Sequence, residues 1–476
     1  MIIVLAVAGI VSLHLSVAGP VPSGGDGGNW LALAHERLGV DVLTPGVSYP
    51  PVFTSVLALC ILVMDPLPAL VLVALLARVV AVIAVYVVIR DSSRVAALVT
   101  TALTATAAFQ LEAFAWGAYP QILASGFALV AIYYSMRFAG RPRRVDAVVA
   151  ALAALGVLAT HNLVAGLLVI ALPIALVHSA WISEDVRRNW KPALTLSVSI
   201  VALGMIYLIA GIVGGEGRAV LNPNELDYAE GIRLAVGESL APWTIIGVVG
   251  LSSLIHRHWL RQQRYPVSVG AGLLLAGTGV FILTVERRSL LVAQLGLLIL
   301  AATAMQRWWL EFRERRLASK VLLVLTAALA GSIAVPGIVE YQRSTDFYRI
   351  VDRREIESIR RLGEVSDPGD TVVASRGRNT IPIGWWVEGI TKMPTMSGHD
   401  PRYLTFAAEV EEAEAANVFF EANDPDDASQ LLEDLGAEFI VVDRRGPDAG
   451  WLAHIDALEL VAITETSSLV ILRVDQ

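Results

Sequence analysis

The chain has 476 residues, 55% of them hydrophobic and only 17% charged, with a mean hydropathy of +0.62. That composition excludes an ordinary soluble globular protein and predicts an integral membrane protein. A net charge of −8, from 36 basic and 44 acidic residues, argues against nucleic-acid binding. The single cysteine, Cys60, excludes an intramolecular disulfide framework and a cysteine-based metal site.

Apolar runs long enough for a bilayer core of about 30 Å predict eleven spans. They lie at 1–19, 69–89, 95–113, 120–136, 145–160, 163–181, 192–213, 243–256, 266–284, 289–305 and 320–338. The run at 52–64 is shorter and is followed by Asp65, Pro66 and Pro68, which suits an interfacial or re-entrant helix. Were it to cross, there would be twelve spans and the N-terminus would lie outside. Loops after every second span are basic, as at Arg90/Arg94, Arg137–Arg144 and Arg187–Lys191. The positive-inside rule therefore places those loops and the N-terminus in the cytoplasm and the C-terminus outside.

Charge divides the chain as well. Residues 1–338 hold 23 basic and 17 acidic residues, net +6, whereas 339–476 hold 13 and 27, net −14. The fold class expected is thus a polytopic α-helical membrane domain of about eleven spans (1–338) followed by a soluble extracytoplasmic α/β domain (339–476). In the second part, β-rich runs at 369–375, 438–443, 458–464 and 468–474 predict strands. Residues 404–420 and 427–435 have helical spacing, with Asp426 or Asp427 as a cap for the second helix.

Ionisable groups near span ends on one face mark function, since such groups are costly in lipid. In the outer loop at 20–68, four glycines flank Asp26, a pattern that frees the backbone to hold its carboxylate close to a bulky ligand. From local text alone, an aspartate among glycines is more often a turn residue than a base. NWLALAHERLG after it predicts a short helix along the membrane surface, and Tyr49-Pro50-Pro51 closes the loop. The next outer turn carries Glu112 beside Phe114, Trp116 and Tyr119. His161, Arg218, Arg233, Glu286, Arg287 and Arg288 fall at the same depth, and each also has a packing or solvation reading. Two acids, a histidine and several arginines on one face point to a shared site.

This layout resembles the glycosyltransferase C superfamily, and within it protein mannosyltransferases, aminoarabinose transferases and, for the tail, oligosaccharyltransferases. The resemblance implies a polyprenyl-phosphate sugar donor, transfer on the outer face of the cell membrane, and a catalytic first-loop acid, here Asp26. It also implies a second-loop acid, matched by Glu112, and an acceptor-side tryptophan motif, matched by Gly384-Trp385-Trp386-Val387-Glu388-Gly389. No Asp-x-Asp pair stands in the first loop, and Val-Glu replaces the Asp-Tyr of the tail motif.

On that reading Asp26 is the general base, with Glu112 as second acid or, with Asp26, as ligand to a magnesium or manganese ion. Arg218, Arg287 and Arg288 contact phosphate. Tyr49, Trp116, Tyr119 and His161 line the site, and Trp385, Trp386 and Glu388 present a lipid, glycan or protein acceptor, with Lys392, His399 and Asp400 nearby. A transporter or flippase of lipid-linked substrates and a catalytically silent scaffold of the same fold are the competing readings.

Overall fold

The computed structural model describes residues 2–17, 24–42, 49–213, 264–284, 286, 288–312, 335, 337–367, 369–400, 404, 407–422, 424–454 and 456–474. The span expected at 243–256, nearly all of that at 320–338, and Arg218, Arg233 and Arg287 lie outside these residues.

The membrane-type helices run α1 (Ile2–Val17), α2 (Asp26–Glu36), α3 (Pro51–Ile61), α4 (Pro66–Arg90), α5 (Arg94–Thr106), α6 (Ala108–Trp116), α7 (Tyr119–Gly140), α8 (Arg144–Leu158), α9 (Asn162–Ile182), α10 (Glu184–Arg188), α11 (Trp190–Val213), α12 (Arg264–Thr284) and α13 (Ser289–Phe312). Among the described residues five helices are long and apolar enough to cross a bilayer, within α4, α7, α9, α12 and α13. The short run after Tyr49 forms α3, only 11 residues long.

The span expected at 95–113 is not one helix. It divides into α5 and α6, bent by 45°, with Ala107 between them in an extended conformation at φ −66°, ψ 130°. A break inside lipid frees backbone carbonyls that water cannot satisfy. Arg78, buried midway along α4, resolves this by donating from Nη2 to the Ala105 carbonyl. Its guanidinium also lies over the rings of Phe114 (5.3 Å) and Tyr341 (5.9 Å).

Further helices follow at 337–348 (α14), then α15 (Arg353–Val365), α16 (Gly384–Thr391), α17 (Ala407–Glu421) and α18 (Pro425–Leu435). Asp352 and Glu355 close a reciprocal capping box on α15. The cap of α18 is Asp424, not Asp426 or Asp427: Asp424 Oδ1 accepts from the Asp426 N–H at 2.9 Å. Pro425, preset for the first helical turn, fixes this earlier start.

Five strands form one sheet, β1 (Val372–Ala374), β2 (Thr395–Ser397), β3 (Phe439–Asp443), β4 (Val461–Glu465) and β5 (Leu469–Arg473), in the order β2-β1-β3-β5-β4. β1 is parallel to β2 and β3, whereas β5 is antiparallel to β3 and β4. Side-chain alternation along the strands supplies two cores. Val372, Ala374, Phe439, Val441, Leu469 and Ile471 join a cluster that continues through Trp386, Ile359 and Tyr341 into Phe114, Leu70 and Trp30. The opposite face packs Val373, Ile440 and Leu472 against Phe419 and Trp451. The sheet and the α1–α6 region therefore share one apolar core. Ion pairing adds to the seam, where Arg360 Nη2 meets Asp65 Oδ2 at 2.6 Å.

Candidate active site

The helix expected after Asp26 forms as α2, but it does not lie on a surface with a polar side free. Trp30, Leu31, Ala32, Leu33, Ala34 and His35 are all buried, which covers every face of the helix. One side rests on α3 and α4 and the other on α16. The glycines around Asp26 make this possible. A Cβ on Gly28 would overlap the Trp385 carbonyl and the Trp386 nitrogen, and one on Gly389 would overlap the Gly28 carbonyl. A Cβ on Gly27 would fall 2.7 Å from Cζ2 of Trp386. The glycines thus admit a second helix of the same chain rather than a bulky ligand, which corrects the expectation from their spacing.

Asp26 sits at the first turn of α2, half-buried. The turn between α6 and α7 backs it: Gly117 has φ +105°, and a Cβ there would stand 3.0 Å from Cβ of Asp26. Gly24 (φ +128°) packs on the Trp116 carbonyl in the same way. Trp30 Nε1 donates to the Gly117 carbonyl at 2.7 Å and locks the two segments together. Its ring lies 4.8 Å from that of Tyr49, and Tyr49 stands edge-on to His161 at 6.2 Å. The Val52 N–H donates to the Ala159 carbonyl at 2.8 Å, joining the start of α3 to the turn that carries His161.

Arg288 completes the group from the turn between α12 and α13. Its carbonyl accepts from Gln121 Nε2 (2.7 Å), its N–H donates to Glu286 Oε1 (3.0 Å), and its Nε stands 3.5 Å from the same oxygen. The Arg288 side chain keeps 46% of its surface open.

Burial raises the Asp26 carboxyl to about 6, and Arg288 opposes that rise. Burial and then Arg288 lower His161 to about 3, so the imidazole is neutral; its Nδ1 is buried without a hydrogen-bond partner. Burial works against the charge of Arg288, but Glu286, Asp26, Tyr49 and Glu409 outweigh it and hold the group firmly cationic. The result is one permanent cation coupled to one carboxylate that titrates near neutrality.

Of the residues expected to form a site, the structure joins Asp26, Tyr49, His161 and Arg288. Trp116 and Tyr119 flank the Gly117 turn, Trp116 standing edge-on to Tyr348 at 6.4 Å. Glu112 is half-buried on α6, the helix that ends at this turn. Trp386 and Glu388, each 0% exposed, offer no surface to an acceptor. Trp386 packs between α2 and the sheet, and Glu388 is a buried carboxyl that acts on Glu412 of α17, which corrects their expected role. Trp385 is half-buried and stacks edge-on against His399 at 5.5 Å. Among the described residues no group of three or more His, Cys, Asp or Glu is placed to hold a metal. Among the described residues, therefore, Asp26 and Glu112 have no third His, Cys, Asp or Glu grouped with them.

Gln121, Trp30, Gly117 and Glu409 also belong to this region. Only Gly117 carried a sequence signal, an isolated glycine between two apolar helices. Gly117→Ala places a side chain in left-handed backbone, at a cost of roughly 1–2 kcal/mol, and pushes on Asp26. We expect the melting temperature of the Gly117→Ala protein to fall accordingly, read by circular dichroism on heating.

No known family profile and no curated protein matches the chain by sequence. Solved structures do. The oligosaccharyltransferase of Archaeoglobus fulgidus, in a complex with zinc and sulfate, superposes with a TM-score of 0.60 at 14% identity, over 93% of this chain and 68% of that one. Oligosaccharyltransferase AglB from the same organism, with an inhibitory peptide and a dolichol-phosphate, gives 0.57 at 13% identity, over 93% and 69%. ArnT from Cupriavidus metallidurans, bound to undecaprenyl phosphate, gives 0.60 at 13% identity over 98% of this chain and 97% of that one. The chain has their fold. It is the fold that the first-loop acid, the Tyr-Pro-Pro motif and the many apolar runs implied, and the match to ArnT runs nearly end to end.

Proposed function

We propose that the chain is a membrane glycosyltransferase that moves a sugar from a polyprenyl-phosphate donor to an acceptor on the extracytoplasmic face. The observation that carries the proposal is the electrostatic coupling of Asp26 with Arg288 beside Tyr49 and His161, at the start of α2. A carboxylate titrating near 6 is matched to removing a proton from an acceptor hydroxyl at neutral pH. The freed oxygen attacks the anomeric carbon as the bond to the phosphate oxygen breaks. The phosphate leaves with the bonding electrons, opposed by the guanidinium fork of Arg288. Attack opposite the departing group inverts the anomeric centre.

Glu112 is assigned as the second acid. Tyr49, His161 and Trp116 are assigned to the sugar side and Arg218 and Arg287 to phosphate, whereas Tyr119, 1% exposed, packs on Phe53 and Phe114. The same proposal divides the chain into a membrane part of eleven spans (1–338) with a cytoplasmic N-terminus and an outer α/β part (339–476). Its support is the alternation of basic loops and the charge shift from +6 to −14. The solved neighbours hold dolichol-phosphate and undecaprenyl phosphate, which favours a prenyl-linked donor.

The test is a panel of radiolabelled sugars on undecaprenyl and dolichyl phosphate, offered to the full-length protein in vesicles. At least one donor is expected to be cleaved to free polyprenyl phosphate with an acceptor extract present. Donor that binds but is never consumed, or label that merely changes leaflet, sinks the enzyme reading and favours a transporter.

A further inference from the structure

Beyond the Asp26 site, a pocket opens between α16, the end of β2 and α17. It is a shallow, partly open niche with room inside for about one water-sized group, lined among others by Trp385, Ser397, His399, Glu409 and Glu412. We propose that this pocket binds a primary ammonium group carried by the acceptor.

Two independent observations meet there. Ser397 is 7% exposed and its Oγ has no hydrogen-bond partner in the protein, although it lines the recess. A buried hydroxyl without a partner is costly and is relieved by a ligand that bonds it. The neighbouring Thr395 hydroxyl is by contrast engaged, donating to the Met393 carbonyl at 2.9 Å.

The second observation is charge. Glu409 and Glu412 both line the pocket from α17, with Glu388 behind them on α16 and Glu411 on the same helix. Burial first, then Glu388, Glu409 and Glu411, raise the Glu412 carboxyl to about 8. Among the described residues His399 also lines the pocket and is held neutral, at about 4, chiefly by burial, with Asp400 acting in the opposite sense. Its Nδ1 donates to the Thr380 carbonyl at 3.1 Å. Arg288, which is also coupled to Asp26, acts on Glu409.

Glu412 keeps a proton because burial and the neighbouring carboxylates oppose its negative charge, which a positive charge at the pocket would favour. An ammonium ion supplies that charge, accepts hydrogen bonds from no one, and donates to Glu409, Glu412 and the Ser397 oxygen, while Trp385 offers an aromatic face. Through Glu409 the pocket is electrostatically continuous with Arg288, and thus with Asp26. That continuity places the amine on the molecule receiving the sugar, an assignment that rests on the glycosyltransferase reading.

The sign of the linked proton follows. At pH 7 Glu412 is protonated when the pocket is empty, and a bound cation lowers its pKa, so binding releases a proton. Calorimetry of ethylammonium with the full-length protein in nanodiscs, in two buffers of different ionisation heat, reads that proton directly. We expect saturable binding with close to one proton released, against no binding of ethanol. Glu412→Gln is expected to weaken binding at least tenfold and to abolish the release. Ser397→Ala is expected to weaken binding a few-fold with release intact.

Competition separates two carriers: glucosamine displacing the probe identifies an amino sugar, and ethanolamine phosphate a lipid head group. Equal binding of ethanol, an unchanged Glu412→Gln protein of native melting temperature, or no competition by either carrier overturns the proposal. The Asp26→Asn protein, which has lost the proposed base, must still bind ethylammonium with proton release. Failure of sugar transfer and failure of this pocket are therefore read apart.

Discussion

Asp26→Asn is expected to lower transfer by a factor of roughly 10²–10⁴ while leaving the fold intact. The substitution keeps shape and one hydrogen-bond acceptor but cannot take a proton. Stability serves as the control, and its sign is set by the environment of the residue. The folded protein raises this carboxyl to about 6, above its ordinary value, because burial penalises the charged form. The stability linked to this group is thus fully present at low pH, where it is neutral, and is lost as pH rises through about 6. A neutral asparagine escapes that loss, so at pH 7.5 the variant is expected to melt no lower than wild type. A lower melting temperature together with lost transfer would assign Asp26 to structure. In the wild type, kcat/KM should fall tenfold per pH unit below about 6 as the base is protonated. A flat profile between pH 5 and 8 would remove Asp26 from that role.

Trp386→Ala is expected to cost about 3–5 kcal/mol, the range for emptying a large buried aromatic site. Trp386 is 0% exposed and sits in the core shared by α2, the sheet and α4. Its indole lies directly over Gly27, where a Cβ would meet Cζ2 at 2.7 Å and Cη2 at 2.9 Å. Gly27→Ala alone should cost about 1–3 kcal/mol through overpacking. In the Trp386→Ala background the added methyl enters the space the indole leaves, and most of that cost should vanish. The cycle is read from denaturant titrations followed by circular dichroism, with a coupling of about 1–3 kcal/mol expected. Additive costs would mean that the glycine and the tryptophan do not face one another. Because α2 carries Asp26, Trp386→Ala should also reduce transfer, by a route unlike that of Asp26→Asn: activity and melting temperature fall together.

These outcomes bear on how a site can be read from one-dimensional text. The acid between glycines was visible in the sequence, and so was Tyr-Pro-Pro, but the purpose of the glycines was not. Their missing side chains admit the backbone of α16, some 360 positions away in the chain, and no local pattern encodes that approach. The Trp-Trp pair drew attention as an acceptor motif. In the fold its two members part: Trp386 closes the core, and Trp385 lines the pocket with His399. Neighbours in sequence on a helix point about 100° apart, so a motif of two tryptophans is a structural element and a pocket wall at once.

The break between α5 and α6 was hidden for a related reason. Residues 94–116 contain no proline, and their apolar composition reads as a single span. What permits the bend is Arg78, on another helix, which meets the freed Ala105 carbonyl. The lone charge midway along α4 was the one trace of it in the text.

Of the sheet, four strands were legible as β-branched runs of ordinary length. β2 was not, since three residues, Thr395–Ser397, make a strand only by pairing with β1. Composition and periodicity thus settled where apolar segments, helices and most strands lie, because those depend on how each residue partitions between water and an apolar phase and on spacing of 3.6 or 2 residues. The company of Asp26 with Arg288, of Glu412 with Glu388, and of Gly28 with Trp385 awaited the packed chain. Electrostatic and van der Waals contacts act across distances in space, and sequence separation carries no information about them until the chain has folded.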